Sequence, residues 1–403
     1  MRRAALTTRG RCLLAAGVAT AVSALVLDER DLLRVGAFVA LLPLLALLVA
    51  VRTRRSVRAT REVSPERVPA GGRVDVEVTL RGGPLVGALR LVDTVPDAAG
   101  PQPAAPPRFT VHRLSPRAGA RLAYPLVPGR RGVHRVGPLV GSAGDPLGLA
   151  DFERELAPAS RLVVLPRVVA LRGMPQALGS GEGTPGAALA HQGQGRSDVL
   201  VRQYRQGDEL RRVHWRSTAR HDELMVRLEE RPWRTGTTVL LDRRAAAHRG
   251  HGPDSSLEVA VSLAASICTH LGGRGEVITL VGEDGTALGT ASGDVDPLLD
   301  TLAALRPAAR SDLDGPELSG DVLAVLGSLG SGDLDALLTR QPAGGHAILL
   351  DVAGWAPGGR GPDVTAAASA LRGAGWRVAV AAAGVPPDRA WDDLVAQSIG
   401  STS

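Results

Sequence analysis

The chain of 403 residues contains no lysine, and all 47 of its basic residues are arginine. That absence excludes a nucleotide loop of the Gly-Lys-Ser/Thr kind, which needs an ammonium group to reach the β- and γ-phosphates. Aromatic residues are almost as scarce, five Trp, three Phe and two Tyr. Cores must therefore be built from Val, Leu and Ala. The net charge of +6 does not signal nucleic acid, because no aromatics interleave with the arginines to stack on bases. There are two cysteines, Cys12 at the edge of an apolar run and Cys268 in a predicted helix. This excludes a disulfide framework and calls for no oxidising compartment. What remains, 44% hydrophobic and 22% charged residues, is the balance of a globular protein. The length exceeds one ordinary core and predicts two soluble domains.

Two apolar runs lie near the N-terminus, residues 12–27 and 35–51, the second interrupted by Pro43. Each approaches the 17–25 or so helical residues that cross a hydrocarbon core. Asp28, Glu29, Arg30, Asp31 and Arg34 separate them. Because charge is costly at mid-bilayer, these residues are expected to form a turn at the far interface of a two-helix transmembrane hairpin over residues 1–56. Arg2, Arg3, Arg9 and Arg11 precede the first run, and Arg52, Arg54, Arg55, Arg58 and Arg61 follow the second. The positive-inside rule puts both ends, and so the soluble domains, on the cytoplasmic side of the plasma membrane. The second cluster is expected to face anionic lipid. The same stretch also admits a cleaved signal peptide with Val22-Ser23-Ala24 as its small-residue site, after which the second run would still anchor the chain to the bilayer.

From residue 57 to 169 the pattern is β. Val74, Val76, Val78 and Leu80 alternate with Arg73, Asp75, Glu77 and Thr79, the signature of a half-buried strand. Further strands are expected at 88–95, 109–114, 121–127, 133–140 and 162–165, together a small β-sandwich. Residues 170–196 are rich in Gly, Pro, Ala and Gln and are expected to be a linker. Their Gly179-Ser180-Gly181-Glu182-Gly183 follows no strand and is not a phosphate loop. From 237 to 403 strands and helices alternate. Strands are expected at 238–242, 276–281, 322–326, 347–351 and 377–381, and helices near 255–271, 297–305, 334–339, 365–372 and 388–397. Apolar strands separated by helices predict a parallel, doubly wound α/β sheet covered on both faces. Ligands in such folds sit at the carboxyl ends of the strands, which directs attention to Asp242 and Asp351. The fold class is α+β multidomain: membrane hairpin, β-sandwich, α/β domain.

Between linker and α/β domain, residues 197–236 carry the most distinctive block. From Arg202 to Arg231 the sequence holds eight arginines and six acids, too balanced for a phosphate footprint. Interleaved signs suggest Arg–carboxylate forks holding one irregular conformation, with Tyr204 and Trp215 as apolar anchors. The residues of interest are Arg202, Tyr204, Arg205, Gly207, Asp208, Arg211, Trp215, Ala219, Arg220 and Arg227, as a partner-binding or structural signature.

The motif Tyr-x-x-Gly-Asp-x-x-Arg-x-x-x-Trp-x-x-x-Ala-Arg, at Tyr204, Gly207, Asp208, Arg211, Trp215, Ala219 and Arg220, resembles the signature of domain-of-unknown-function family fifty-eight. Arg131-Gly132, Gly137-Pro138, Asp145-Pro146-Leu147-Gly148-Leu149 and Leu165-Pro166 are similar to that family too. The resemblance implies a von Willebrand factor A-like α/β domain. It also implies a place beside a MoxR-type AAA+ ATPase and transglutaminase-like membrane proteins, but no known reaction. It implies attention to metal as well, because von Willebrand A domains bind Mg²⁺ through Asp-x-Ser-x-Ser after the first strand, clustered oxygens being what a hard cation takes. Here that position reads Asp242-Arg243-Arg244-Ala245-Ala246. The aspartate remains as a remnant and the serines are gone, so neither metal nor other cofactor is expected. Asp351 could lend a second oxygen but no hydroxyl.

Other candidates are weaker. Cys268 and His270 lie two apart on a predicted helix and face different directions. His248 and His251 lack zinc-ligand spacing, His214 beside Asp208 reads as a structural hydrogen bond, and no Gly-x-Ser-x-Gly elbow occurs. The expected function is a non-catalytic, membrane-tethered scaffold or adaptor in protein-complex assembly or cell-envelope maintenance. A metal-dependent binding module is the alternative, and a hydrolase a distant third.

Overall fold

A computed structural model describes residues 4–83, 85, 87–95, 106–115, 117, 119–175, 178, 236–316, 318–341, 344–356 and 363–399, and the backbone of 201–203 and 225–227. The chain forms two compact units, Met1–Val168 with Leu299–Leu305, and Val169–Leu298 with Arg306–Ser403.

The first unit begins with strand β1 (Ala5–Leu6) and two long helices, α1 (Thr8–Leu27) and α2 (Arg30–Ser56). At about 1.5 Å per residue they run roughly 30 and 40 Å, long enough for a hydrocarbon core, and both are apolar enough to cross a membrane. The connection is shorter than expected. Only Asp28, with a left-handed φ of 50°, and Glu29 lie between the helices. Arg30, Asp31 and Arg34 belong to α2, where Asp31 suits the positive helix start and accepts from Arg34 at 2.8 Å. The helices meet through small residues. A side chain at Gly17 would fall 2.5 Å from the Ala40 amide, and one at Gly36 2.6 Å from that of Ala21. Gly10, Gly17 and Ala24 are buried at seven-residue spacing, while Val22, Leu25, Val26, Phe38, Leu41 and Leu48 point outward, exposed.

Both helix ends are fastened to the β-region. Thr7 caps α1 by accepting from the Gly10 amide, and its hydroxyl donates to the Gly148 carbonyl at 2.7 Å. The Thr7 amide donates to Leu149 at 2.9 Å. The Asp145 carboxylate holds that turn by accepting from the amides of Leu147, Leu149 and Ala150. At the other end, Arg154 donates to the Arg54 carbonyl at 2.7 Å.

The β-region comprises β2 (Arg58–Ser64), β3 (Arg67–Pro69), β4 (Val74–Arg81), β5 (Leu89–Asp93), β6 (Arg108–Val111), β7 (Ala120–Leu126), β8 (Gly132–Val136), β9 (Leu139–Gly144), β10 (Ala150–Ala157) and β11 (Ser160–Leu165). They form three small sheets, β2-β4-β7, β1-β10-β9-β5-β6 and β3-β11-β8, around one core that includes Val76, Val78, Leu80, Leu91, Phe152 and Leu162. Val74, Val76, Val78 and Leu80 are fully buried, as their alternation predicts. The strand expected at 133–140 is two strands, parted at Gly137-Pro138. β10 escapes the periodicity because charged Glu153, Arg154 and Glu155 occupy its middle and its register shifts between Glu155 and Ala157.

Arg61 departs from expectation most. It does not face lipid. Its side chain is 1% exposed against Asp93 at 0%. The guanidinium forks onto both Asp93 oxygens, with Nε to Oδ2 at 3.0 Å, and donates to the carbonyls of Val136 and Pro158. The Tyr124 hydroxyl donates to Asp93 at 2.6 Å. Burial, then the bond to Asp93, raises the Tyr124 phenol far above its ordinary range. Breaking a buried pair by removing one partner strands the other charge and costs about 3–5 kcal/mol.

The second unit is built on a six-stranded sheet of β14 (Thr237–Leu241), β15 (Val277–Gly282), β16 (Ala287–Ser292), β17 (Asp321–Leu326), β18 (His346–Leu350) and β19 (Arg377–Ala381). Its helices are α3 (Ser256–Gly272), α5 (Ser331–Arg340), α6 (Val364–Gly373) and α7 (Pro387–Ile399), while α4 (Asp296–Ala304) runs from it into the Leu299–Leu305 segment of the first unit. The spatial order β16-β15-β14-β17-β18-β19 is 3-2-1-4-5-6 in order of appearance, a doubly wound sheet. Five strands are parallel. β16, not anticipated, is an antiparallel edge paired to β15. α5 and α6 cover one face through Leu337, Ala367, Ala368 and Leu371 against Leu240, Leu326 and Leu349. α3 packs with α7 on the strands' other face. Residues 170–175 are not a linker in this structure but lie along α3 and α7. Val169 donates to Ser266 at 3.0 Å, His270 bonds the Gly173 carbonyl at 2.7 Å, and the buried Trp391 donates to the Arg172 carbonyl at 2.9 Å.

The Arg61 cluster makes a direct prediction. Asp93→Ala should destabilise the β-region by about 3–5 kcal/mol and Tyr124→Phe by about 1.5–3 kcal/mol. Faster amide hydrogen exchange in β4 and β7 of the full-length chain is the readout.

Candidate functional site

The strand order reverses between β14 and β17, and a doubly wound sheet binds its ligands in the crevice at that switch point. Asp242 follows β14 there, its amide bonded to Val325 of β17 at 2.9 Å. Its carboxylate is fully buried. Both oxygens are engaged by the residue two further on: Arg244 Nε donates to Oδ1 at 2.9 Å and Nη2 to Oδ2 at 2.9 Å. The Arg244 amide also donates to Oδ1 at 3.1 Å and the Gly327 amide to Oδ2 at 3.3 Å.

The Arg244 side chain is 2% exposed, and its remaining donors are satisfied too. Nη1 reaches the Ser311 carbonyl at 2.8 Å and Asp333 at 2.7 Å, and Nη2 the Ser328 carbonyl at 3.3 Å. Five N–H groups thus meet five oxygens, the full capacity of a guanidinium. Burial alone would lower the Arg244 pKa, but the bonds to Asp242 and Asp333 outweigh it and hold it above its ordinary value. Asp333 stands in the first turn of α5, where its other oxygen accepts from the Gly330 amide at 2.9 Å.

The residues around this fork are tied to it in turn. His248 donates from Nε2 to the Asp242 carbonyl at 2.8 Å, and its Nδ1 meets the Ser256 hydroxyl at 3.1 Å. A carbonyl can only accept, so Nε2 carries a proton. Burial lowers the His248 pKa, against the pull of Asp242. Arg243 donates to the buried Glu283 carboxylate at 2.9 Å, and Arg340 to the Glu283 carbonyl at 3.0 Å. A side chain at Gly327 would meet the Ala247 carbonyl at 2.3 Å, so the β17 loop approaches the β14 loop backbone to backbone.

With Arg244 in place this donor set does not fit a divalent cation. In Asp242-Arg243-Arg244-Ala245-Ala246, Arg244 and Ala246 stand where the Asp-x-Ser-x-Ser pattern has hydroxyls, and the guanidinium takes the carboxylate that a metal would need. Asp351 lies after β18, two strands from β14, and starts the short helix Val352–Trp355 instead of meeting Asp242. Among the described residues no group of three or more His, Cys, Asp or Glu side chains could hold a metal ion. Cys268 is fully buried, and burial pushes its thiol up to about 12. His270 instead stacks edge-on against Trp391 at 5.5 Å.

Of the arginine block, the described part is its two ends. β12 (Val201–Gln203) and β13 (Met225–Arg227) pair antiparallel, Arg202 opposite Val226 and Val201 opposite Arg227. The chain therefore leaves at Gln203 and returns beside it at Met225. Tyr204, Arg205, Gly207, Asp208, Arg211, His214, Trp215, Ala219 and Arg220 lie outside the described residues. Asp333, Glu283 and Arg340 went unseen in the sequence. Asp333 lies 89 residues from Arg244, Glu283 40 from Arg243, and Arg340 57 from Glu283, and no local pattern marks them.

Residues 200–321, less than half of the chain, match the family model described as "Protein of unknown function DUF58". This supports the identification drawn from the signature block. No curated protein matches. Among solved structures, a Pseudomonas fluorescens alkylpurine DNA glycosylase, AlkC, bound to DNA containing an abasic site analogue is similar at 16% identity, covering 34% of this chain and 39% of that one with a TM-score of 0.17. A Listeria innocua β-glucosidase in complex with glucose is similar at 15% identity over 27% of this chain and 17% of that one, with a TM-score of 0.14. The chain spans well under half the length of either, and likeness this low carries no argument about fold or activity.

His248 sets a pH dependence. Its pKa is lowered on folding from 6.5, so its contribution is complete above that value and is lost as pH falls through and below it. All five Trp lie between residues 215 and 391, so their fluorescence reports the second unit. Its melting temperature should fall as pH drops below about 6.5, and the slope should flatten in His248→Gln.

Proposed function

We propose that this protein is a membrane-tethered, non-catalytic scaffold or adaptor that presents its α/β domain and arginine block to a protein partner. The observation that carries this reading is the filled switch point. Where a doubly wound sheet ordinarily receives a ligand, this chain has placed its own guanidinium, bonded on every donor. With that crevice occupied, recognition falls to other parts of the chain, and the arginine block carries the most distinctive sequence among them.

In this reading α1 and α2 form a transmembrane hairpin. The attachment of both outer helix ends to one β-region, through Thr7 and Arg54, supports it, because it leaves the Asp28–Glu29 turn farthest from the soluble part. The arginines flanking the pair place the domains in the cytoplasm. The order 3-2-1-4-5-6 with an antiparallel third strand suits a von Willebrand A-like domain, in a form independent of metal. The partner suggested by the family resemblance is a MoxR-type AAA+ ATPase, with transglutaminase-like membrane proteins as further members of the assembly.

Affinity capture of the full-length protein from membranes in mild detergent, with ATP analogue, ADP or no nucleotide, tests this. An AAA+ ATPase should co-elute, and Arg211→Ala with Trp215→Ala should reduce its recovery roughly tenfold, equivalent to about 1.4 kcal/mol, while cooperative thermal unfolding followed by circular dichroism is retained. No ATPase under any nucleotide condition contradicts the adaptor reading. Loss of cooperative unfolding in the double variant makes the block structural and not a contact.

A further inference from the structure

We infer that Arg244 is a tethered cation, filling an oxygen-lined cage that would otherwise suit a hard divalent ion and making this α/β domain insensitive to metal. The guanidinium faces two carboxylates, Asp242 and Asp333, and two backbone carbonyls, Ser311 and Ser328. Carboxylates and carbonyls are the oxygen donors that Mg²⁺ or Mn²⁺ takes, completed by water; here they stand spread round the fork and would draw inward on an ion in its place. The oxygens come from three separate segments: the end of β14, the stretch before β17, and the loop and first turn that join β17 to α5. A positive centre among them does mechanical work, because each segment would otherwise present an uncompensated negative or polar group to a buried space. An exchangeable ion would make that junction depend on cation concentration, whereas a covalently attached one holds it at all times.

The surrounding geometry fits a permanent centre. The isolated bridge between Arg244 and Ala308 is closed by bonds from Ala245 to the Ala308 carbonyl at 2.9 Å and from Ala308 to that of Arg243 at 2.8 Å. These fix the arginine's own backbone while its side chain reaches across the cage. Only a planar fork can donate to both oxygens of Asp242 and still reach Asp333, so lysine would not substitute. The inference goes beyond the adaptor reading and does not depend on which partner is bound.

Full-length protein in detergent micelles, stripped with chelator and titrated with Mn²⁺, tests it by spin resonance of the free ion and by thermal melting. Wild type should bind no Mn²⁺ that Asp242→Asn abolishes, and its melting temperature should be equal in chelator and in Mn²⁺. Arg244→Ala should gain a saturable site at least tenfold tighter than any in wild type, with a melting temperature raised by Mn²⁺, and Arg244→Ala with Asp242→Asn should lose both. If Arg244→Ala is unfolded in chelator, native tryptophan fluorescence should return on adding Mn²⁺ but not an equal ionic strength of NaCl. Three results would overturn the inference: saturable Mn²⁺ binding in wild type that depends on Asp242, a folded Arg244→Ala that binds no more Mn²⁺ than wild type, or an unfolded one that Mn²⁺ does not restore.

Discussion

The fork between Arg244 and Asp242 is the constraint on which the α/β unit's functional end depends. A carboxylate with no exposed surface at the centre of a sheet is tolerable only if a charge of opposite sign is brought to it with matching geometry. Supplying that charge from two residues away fixes the loop after β14, and its remaining donors then fix the Ser311 and Ser328 carbonyls and Asp333. His248 follows from the same arrangement, because the Asp242 carbonyl it serves is held in place by the turn.

The first unit solves a similar problem with similar chemistry. Arg61 forks onto Asp93 beneath the β-region's sheets, and Tyr124 completes the carboxylate. A chain without lysine has only guanidinium groups to offer a buried carboxylate. That suits both sites, since a rigid fork satisfies two oxygens at once where an ammonium would leave donors to be placed elsewhere. Both pairs hold elements that are distant in sequence, β2 to β5 in one unit and β14 to α5 in the other. Scarce aromatics point the same way. With few large rings to lock the cores, specific polar geometry carries more of the work of selecting one arrangement.

The periodic features were readable from the residues alone. Val74 to Leu80 alternates and is buried on one face, and the apolar runs from Thr238, Val322, Ala347 and Arg377 onward are parallel strands because they are apolar on both faces. Asp242 was found by its place at a strand end. What stayed hidden depended on long-range partners. Nothing near Arg61 distinguishes an arginine that faces lipid from one that faces Asp93, 32 residues later. The sequence showed Arg244 only as a cation beside Asp242 and gave no sign that Asp333 would join them. β16 was missed because Gly289, Thr290 and Ser292 lack the apolar run of its neighbours, which an edge strand does not need. Residues 170–175 read as linker because Gly and Pro signal a break, yet Trp391 and His270 hold their carbonyls. The resemblance read from the Tyr204–Arg220 motif is supported by the family match over residues 200–321, although those motif residues lie outside the described part of the structure.

Locating or excluding an ion at Asp242 tests the account most directly. Crystals of the full-length protein soaked in MnCl₂ and measured at a wavelength where manganese scatters anomalously would do so. The account predicts guanidinium density on both Asp242 oxygens and no anomalous peak within coordination distance of the carboxylate. A manganese peak on Asp242, with the Arg244 side chain displaced, would contradict it.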